Sequence, residues 1–351
     1  MNKEFLRALL ETASPSGYEK NAAGLWKNEA EKFADLVYGD IHGNSIARIT
    51  NGNITSSYSA RIMLAGHIDE IGLIVSYIDP EGFIYFQTIG GWDPQVLVGQ
   101  RVQIWTKDGQ IAIGCIGRKP IHQLSEETQK QVVKIEDLWI DVGSKKCAKL
   151  VSVGDYAVVD YDSLFLDQNK FAARGIDDRI GAFVVLEALH LIKKEKLMEA
   201  VYAVATVQEE IGLRGAITSA YGINPQIGIA VDVTFAADFP GANKKEADIK
   251  LGKGPVIAIG PNITPAIYES LVKTAKENRI PHQIRAEGRG TGTDANAIQL
   301  SRSGVATGLV SIPNRYMHSP CEMVDLEDVE NAIKLLARFC EKNIGSLLKS
   351  E

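Results

Sequence analysis

The sequence predicts an α/β fold interrupted by an inserted β-rich module. Buried-type strands alternate with amphipathic helices before residue 70 and again after about residue 170, the pattern of helices packed on a sheet. Between those stretches the helical period disappears, and short β runs separated by turns replace it. The chain has 351 residues, more than the roughly 250–300 at which single cores stop growing. The expected division is an α/β unit of residues 1–69 and 162–351 around a β-rich unit of residues 70–161.

The elements follow in order. Residues 3–12 and 19–33 read as helices parted by the breaker Ser14-Pro15-Ser16-Gly17. A turn at 40–44 feeds a strand at 45–49, and a second strand at 61–65 runs into Gly66-His67-Ile68-Asp69-Glu70. The β-rich unit offers runs at 72–78, 83–88, 101–105, 111–116, 135–142 and 156–159, with a Lys107-Asp108-Gly109 hairpin turn and one polar helical stretch near 125–131. Apolar residues Ile180, Phe183, Val184, Leu186 and Leu189 then recur at helical spacing over 178–194. A strand ending in Val207 leads to Glu209 and Glu210, followed by a helix at 214–221 and a strand at 227–231 closed by Asp232. A helix at 265–278 and a strand near His282 come next. The glycine-rich loop 288–294 leads into a helix at 295–302, a strand at 306–312 and the His318 loop. A last helix at 326–349 is capped by Asp325.

Composition excludes several classes. Lys plus Arg number 38 against 44 Asp plus Glu, a net charge of −6, so no basic surplus drives nucleic-acid binding. No apolar run approaches the length of a membrane span, and the N-terminal segment lacks a signal-peptide pattern. The four cysteines are scattered without CxxC spacing, as free thiols in a reducing, cytoplasmic compartment are.

The chemistry concentrates at element ends. Two adjacent carboxylates raise each other's pKa unless a cation neutralises them, and open α/β sheets keep ligands at the carboxyl ends of strands. Alone, Glu209-Glu210 reads as a solvated turn, His67-x-Asp69 as a turn, Asp177-Asp178 as a helix cap, and His318 as a polar loop residue. Together they differ. His67, Asp177, Glu210, Asp232 and His318 give two nitrogen and three oxygen donors at five separate ends that an α/β fold brings to one edge. One bridging carboxylate with two further ligands per ion makes a co-catalytic pair, and imidazole with carboxylate suits Zn, Co or Mn better than Ca or Mg. Glu209 remains free as a general base, and Asp69 free to orient His67.

The motifs AGHIDEIGLIV at 65–75, RGIDDRIGA at 174–182, VQEEIGLRGA at 207–216, VDVT at 231–234, GTGTDANAI at 290–298 and RYMHSP at 315–320, with Ser14-Pro15-Ser16-Gly17, cover almost the whole chain in order. The sequence resembles the glutamyl aminopeptidase / tetrahedral (TET) aminopeptidase family of dinuclear metallopeptidases. The resemblance implies a three-layer, zinc-peptidase-like α/β catalytic domain with a PDZ-like or barrel-like insert. It implies two divalent ions, Zn or Co foremost, with Asp177 bridging, Glu210 and His318 at one ion, and His67 and Asp232 at the other. It makes Glu209 the general base and Asp69 the support of His67. It also implies short peptide substrates and a homo-oligomer, commonly a hollow dodecamer built from dimers. Asn296, Gln299 and Cys321 depart from the family pattern and bear on substrate preference.

Other readings compete with this one. The same centre could serve an N-acyl amino acid, and an oligomeric binding protein could keep a vestigial site, though it need retain none of these seven residues. A metal-free glycosidase needs carboxylates flanking a sugar, which adjacent Glu209 and Glu210 do not provide. The 288–293 loop lacks the Lys-Ser/Thr of a P-loop.

Overall fold

The computed structural model describes residues 1–51, 60–245 and 247–342. An eight-stranded mixed sheet runs in the order Leu36–Gly39, Ser45–Ile49, Ala200–Thr206, Arg61–His67, Ile227–Phe235, Ala306–Asn314, Val256–Ile259, Gln283–Ala286. The four strands from Ala200–Thr206 to Ala306–Asn314 are parallel. They are almost wholly buried, as strands covered on both faces are.

Helices make the two outer layers. Leu6 and Leu9, Trp26, the Ile176–Leu191 helix, Leu271 and the Leu326–Cys340 helix share one core with one face of the sheet. Ala216, Ala220 and Ile223 of the Arg214–Ile223 helix pack with Ala295 and Ile298 on the other face. The fit to the Ile176–Leu191 helix is close. A Cβ on Gly66 would lie 2.3 Å from the Gly181 carbonyl carbon, so only glycine lets strand and helix backbones approach this way.

The insert is a closed six-stranded barrel in the order Gly72–Ile78, Ile84–Ile89, Leu138–Asp141, Ile111–Arg118, Arg101–Trp105, Tyr156–Val159. It has its own core of Leu73, Val102, Ile104, Ile116, Ile140 and Ala157. Closure leaves its strands without free edges.

The differences from expectation are local. The strand through Asp232 continues to Phe235, because Thr234 and Phe235 stay paired to Pro313 and Asn314. The helix after the glycine-rich loop stops at Gln299, and residues 135–137 form a 3-10 turn before their strand. The last helix ends at Cys340; the predicted extension beyond residue 342 lies outside the described residues. Short strands at Leu36–Gly39, Val256–Ile259 and Glu322–Asp325 were not anticipated, since four residues carry too little period to read.

Candidate metal centre

The centre forms at the carboxyl ends of the parallel strands. His67 pairs with Thr206 in register. His67 and Asp232 each lie two residues beyond the paired Ala65 and Ala230, which sets them on neighbouring strands at one level.

The segment carrying the two glutamates is held by other parts of the chain. Val207 N–H donates to Asn44 Oδ1 at 3.0 Å and Gln208 N–H to Glu19 Oε1 at 3.1 Å. Glu209 N–H and Glu210 N–H donate to the two oxygens of Asp69 at 3.1 and 3.2 Å. Ser16 Oγ donates to the same carboxylate at 2.6 Å. Four successive amides leaving a strand thus find side-chain acceptors, as buried amides must, and Gln208 takes a positive φ of 57° there.

Asp177 sits at the centre. Its Oδ1 is 3.1 Å from His67 Nε2, and its Oδ2 is 3.3 Å from His318 Nε2. Glu210 Oε1 lies 3.3 Å from His318 Nε2 and Glu209 Oε2 lies 3.8 Å from His67 Nε2. Both imidazoles turn their other nitrogen to a backbone carbonyl: His67 Nδ1 to Asp69 O at 3.1 Å, His318 Nδ1 to Gly91 O at 2.8 Å. A carbonyl only accepts, so each Nδ1 carries the proton and each Nε2 faces the centre, the orientation of metal-ligating histidine. The Asp69 carboxylate adds a contact of 3.4 Å to His67 Nδ1.

Asp178 behaves differently from its neighbour. Its oxygens accept Gly181 N–H at 3.1 Å and His67 N–H at 3.2 Å, so it serves the helix start and braces the strand end. Asp232 is buried and accepts its own neighbour's amide, Val233 N–H, at 2.7 Å. All seven residues singled out in the sequence therefore converge.

Three more do so unannounced. Glu322 accepts Asp177 N–H at 2.9 Å and His318 N–H at 2.8 Å, tying two distant segments to one carboxylate. Asp294 accepts the Thr206 hydroxyl at 2.5 Å. Glu19 holds Gln208 as above. The spacing of Glu322, four residues after His318, was the available signal.

This much buried acid lacks enough positive charge. Burial pushes Glu209 up to about 10, against the pull of His67 and with repulsion from Asp232. Burial and then Asp232 or Asp177 push Asp178, Asp232 and Glu322 well above the carboxylate range. Burial disfavours the imidazolium forms, yet His67 is raised by Glu209, Asp177 and Asp69, and His318 rises to about 11 beside Asp177 and Glu210. Asp177 alone is held low: burial opposes ionisation, but the two imidazoles outweigh it. Among the described residues, no group is in hydrogen-bonding orientation with the buried Glu210 Oε1. Donors within 4.8 Å of one another form two groups among the described residues, His67–Asp177–Glu210 and His67–Glu209–Asp232. Divalent cations fit this donor set, since they supply the missing charge and take up the orphaned oxygen. The centre opens into a cleft of about 220 Å³ lined also by Thr234, Phe235, Arg285, Glu287 and Thr293.

The profile of the M42 glutamyl aminopeptidase family matches residues 43–335. The chain is 37% identical to a lysyl aminopeptidase of Pyrococcus furiosus over 97% of this chain and 96% of that one. It superposes on the structure of an aminopeptidase from the archaeon Desulfurococcus kamchatkensis with a TM-score of 0.91 and 40% identity, covering 99% and 96% of the two chains. It also matches the Pyrococcus horikoshii TET1 peptidase, which assembles into a tetrahedron or a large octahedral shell, with a TM-score of 0.82, 34% identity and coverage of 96% and 98%. Matched along most of its length in sequence and in fold, the chain belongs to the M42 glutamyl aminopeptidase family.

Proposed function

We propose that this peptidase is a dinuclear-metal aminopeptidase that removes the N-terminal residue of short peptides. The observation that carries the reading is Asp177, whose two oxygens face the Nε2 atoms of two imidazoles locked from behind by carbonyls. Asp177 bridges the two positions; Glu210 and His318 complete one, and His67 and Asp232 the other. Bound divalent ions, Zn or Co, supply Lewis acidity and lower the pKa of water. Glu209 is the general base: it takes the proton of the attacking water and returns it to the leaving amine. Its carboxyl holds that proton too tightly while the centre lacks positive charge and ionises once such charge is beside it. Asp69 holds Glu209, Glu210 and His67 in mutual register. The free α-amino group of the substrate would meet a metal or a nearby carboxylate of the cleft, which would account for cleavage at the chain end.

Residues 70–161 form the inserted domain in this reading, supported by the barrel's separate core. A homo-oligomer is supported by exposed Ile217, Tyr221 and Leu300 around an apolar groove, and a dodecamer is the form of the similar PhTET1-12s structure. A cytoplasmic location fits four free cysteines. Among the described residues no helix is long and apolar enough to cross a membrane.

The test is a panel of aminoacyl-nitroanilides, free and N-acetylated, on chelated protein with Zn, Co or Mn added back. Metal-restored cleavage of free-amino substrates is expected. Release of acetate from the acetylated substrates, with no nitroaniline released from the free-amino ones, makes the protein a deacylase instead. Sedimentation analysis of the reloaded protein reports the assembly.

A further inference from the structure

The two positions of the centre are held by different means. His67 is 2% exposed, stands on the sheet, and takes its Nδ1 partner from its own strand end. His318 is 35% exposed, stands in a loop at a positive φ of 60°, and takes its Nδ1 partner from the barrel. That partner, the Gly91 carbonyl, lies in the turn between the barrel strand Ile84–Ile89 and the short helix Pro94–Leu97.

The turn is tied to the barrel on one side and packed against the centre on the other. Trp92 Nε1–H donates to Gly72 O at 3.0 Å and ties the turn to the first barrel strand. A Cβ on Gly90 would lie 2.6 Å from Ile71 Cγ2 and 3.3 Å from Glu210 Oε2. A Cβ on Gly91 would lie 3.3 Å from His318 Nδ1. The turn therefore touches both residues assigned to one position, His318 and Glu210, while the hydrogen bonds and ion pairs of His67 and Asp232 go to residues outside it.

We propose that the barrel insert is part of the metal centre: through the Gly91 carbonyl it fixes the ring orientation and tautomer of His318, so that the ion at the His318–Glu210 position binds only as well as the insert is seated. Gly91 is in this sense a positioning residue, acting through His318. The inference rests on the dinuclear reading above. Groups that orient a metal-bound histidine from behind are worth about 10–100-fold in metal affinity. The other ion, held by His67 and Asp232, is independent of the insert.

The experiment is calorimetric titration of chelated full-length protein with Co²⁺, on wild type, Gly91→Ala and Trp92→Phe. Alanine at 91 crowds the ring, and phenylalanine at 92 keeps the aromatic body while removing the N–H that anchors the turn. Expected are two ions per subunit in wild type. Both variants should bind one ion as wild type does and the second about 10–100-fold more weakly, with the metal-free proteins still folded. Equal and unaltered affinities in both variants overturn the proposal, as does weakening of both ions alike. A misfolded Gly91→Ala leaves Trp92→Phe to decide on the same criterion. Fewer than two ions in wild type overturns the dinuclear reading itself, and is thereby distinguished from failure of the insert's role alone.

Discussion

Asp69 and Glu209 stand 140 positions apart, yet the Asp69 Oδ1 accepts the Glu209 backbone N–H at 3.1 Å. The other oxygen of Asp69 accepts the Glu210 N–H and the Ser16 hydroxyl. One fully buried carboxylate thus aligns the proposed base with a proposed ligand, and no change to Asp69 can be silent at either.

Asp69→Asn is expected to lower kcat about 10–100-fold with both ions still bound. The new amide would face an N–H or a hydroxyl where the carboxylate accepted both, so the 207–210 segment shifts. Steady-state kinetics with metal analysis of the same preparation checks this; an unchanged kcat removes Asp69 from the mechanism.

Glu209→Gln and Glu322→Gln should fail differently. The first removes the proton acceptor and should cost about 10²–10⁴-fold in kcat with metal content retained. The second disturbs the carboxylate that gathers Asp177 and His318 by their amides. It should weaken metal binding about 10–100-fold before it touches chemistry. Metal titration beside kinetics separates them, and wild-type turnover in Glu209→Gln would refute the base assignment.

The metal-free protein should lose stability as pH rises. Glu209 at about 10 and His318 at about 11, with Asp178, Asp232 and Glu322 raised well above their usual range, hold protons more tightly folded than unfolded. Their contribution is complete below the unfolded values, about 4 for carboxyls and about 6.5 for imidazole. It is lost as pH climbs toward 10–11. Asp177 acts in the opposite sense, but only below about pH 4. Metal binding displaces these protons, so the rise in Tm on adding Zn or Co should be larger at pH 8.5 than at pH 6. A metal-induced shift independent of pH contradicts the charge arrangement.

Arg179→Met tests the scaffold rather than the chemistry. Arg179 is fully buried and donates to Glu70 at 3.0 Å and to the carbonyls of Leu9, Arg174 and Gly175. Removing the guanidinium leaves Glu70 with Arg174 as its one cation, beside the Ser14 N–H it accepts at 2.9 Å. A loss of about 3–5 kcal/mol is expected, read by denaturant unfolding of the metal-free protein; a loss below about 1 kcal/mol would show that Arg174 suffices.

The sequence by itself determined the layers and offered the candidate donors. Alternating strands and helices announced the α/β architecture, the loss of helical period announced the insert, and His, Asp and Glu at successive element ends pointed to a candidate cation site. These are properties of residues near in the chain, where a period of 2 or 3.6 shows which face is apolar. Only the tertiary structure decided how the donors are aimed. Glu322 beneath Asp177 and His318, Glu19 beneath Gln208, and the Gly91 carbonyl behind His318 all join segments far apart in sequence. Spacing along the chain says nothing about such contacts, because a hydrogen bond depends on where the folded backbone puts an acceptor, and a backbone carbonyl is present at every residue alike.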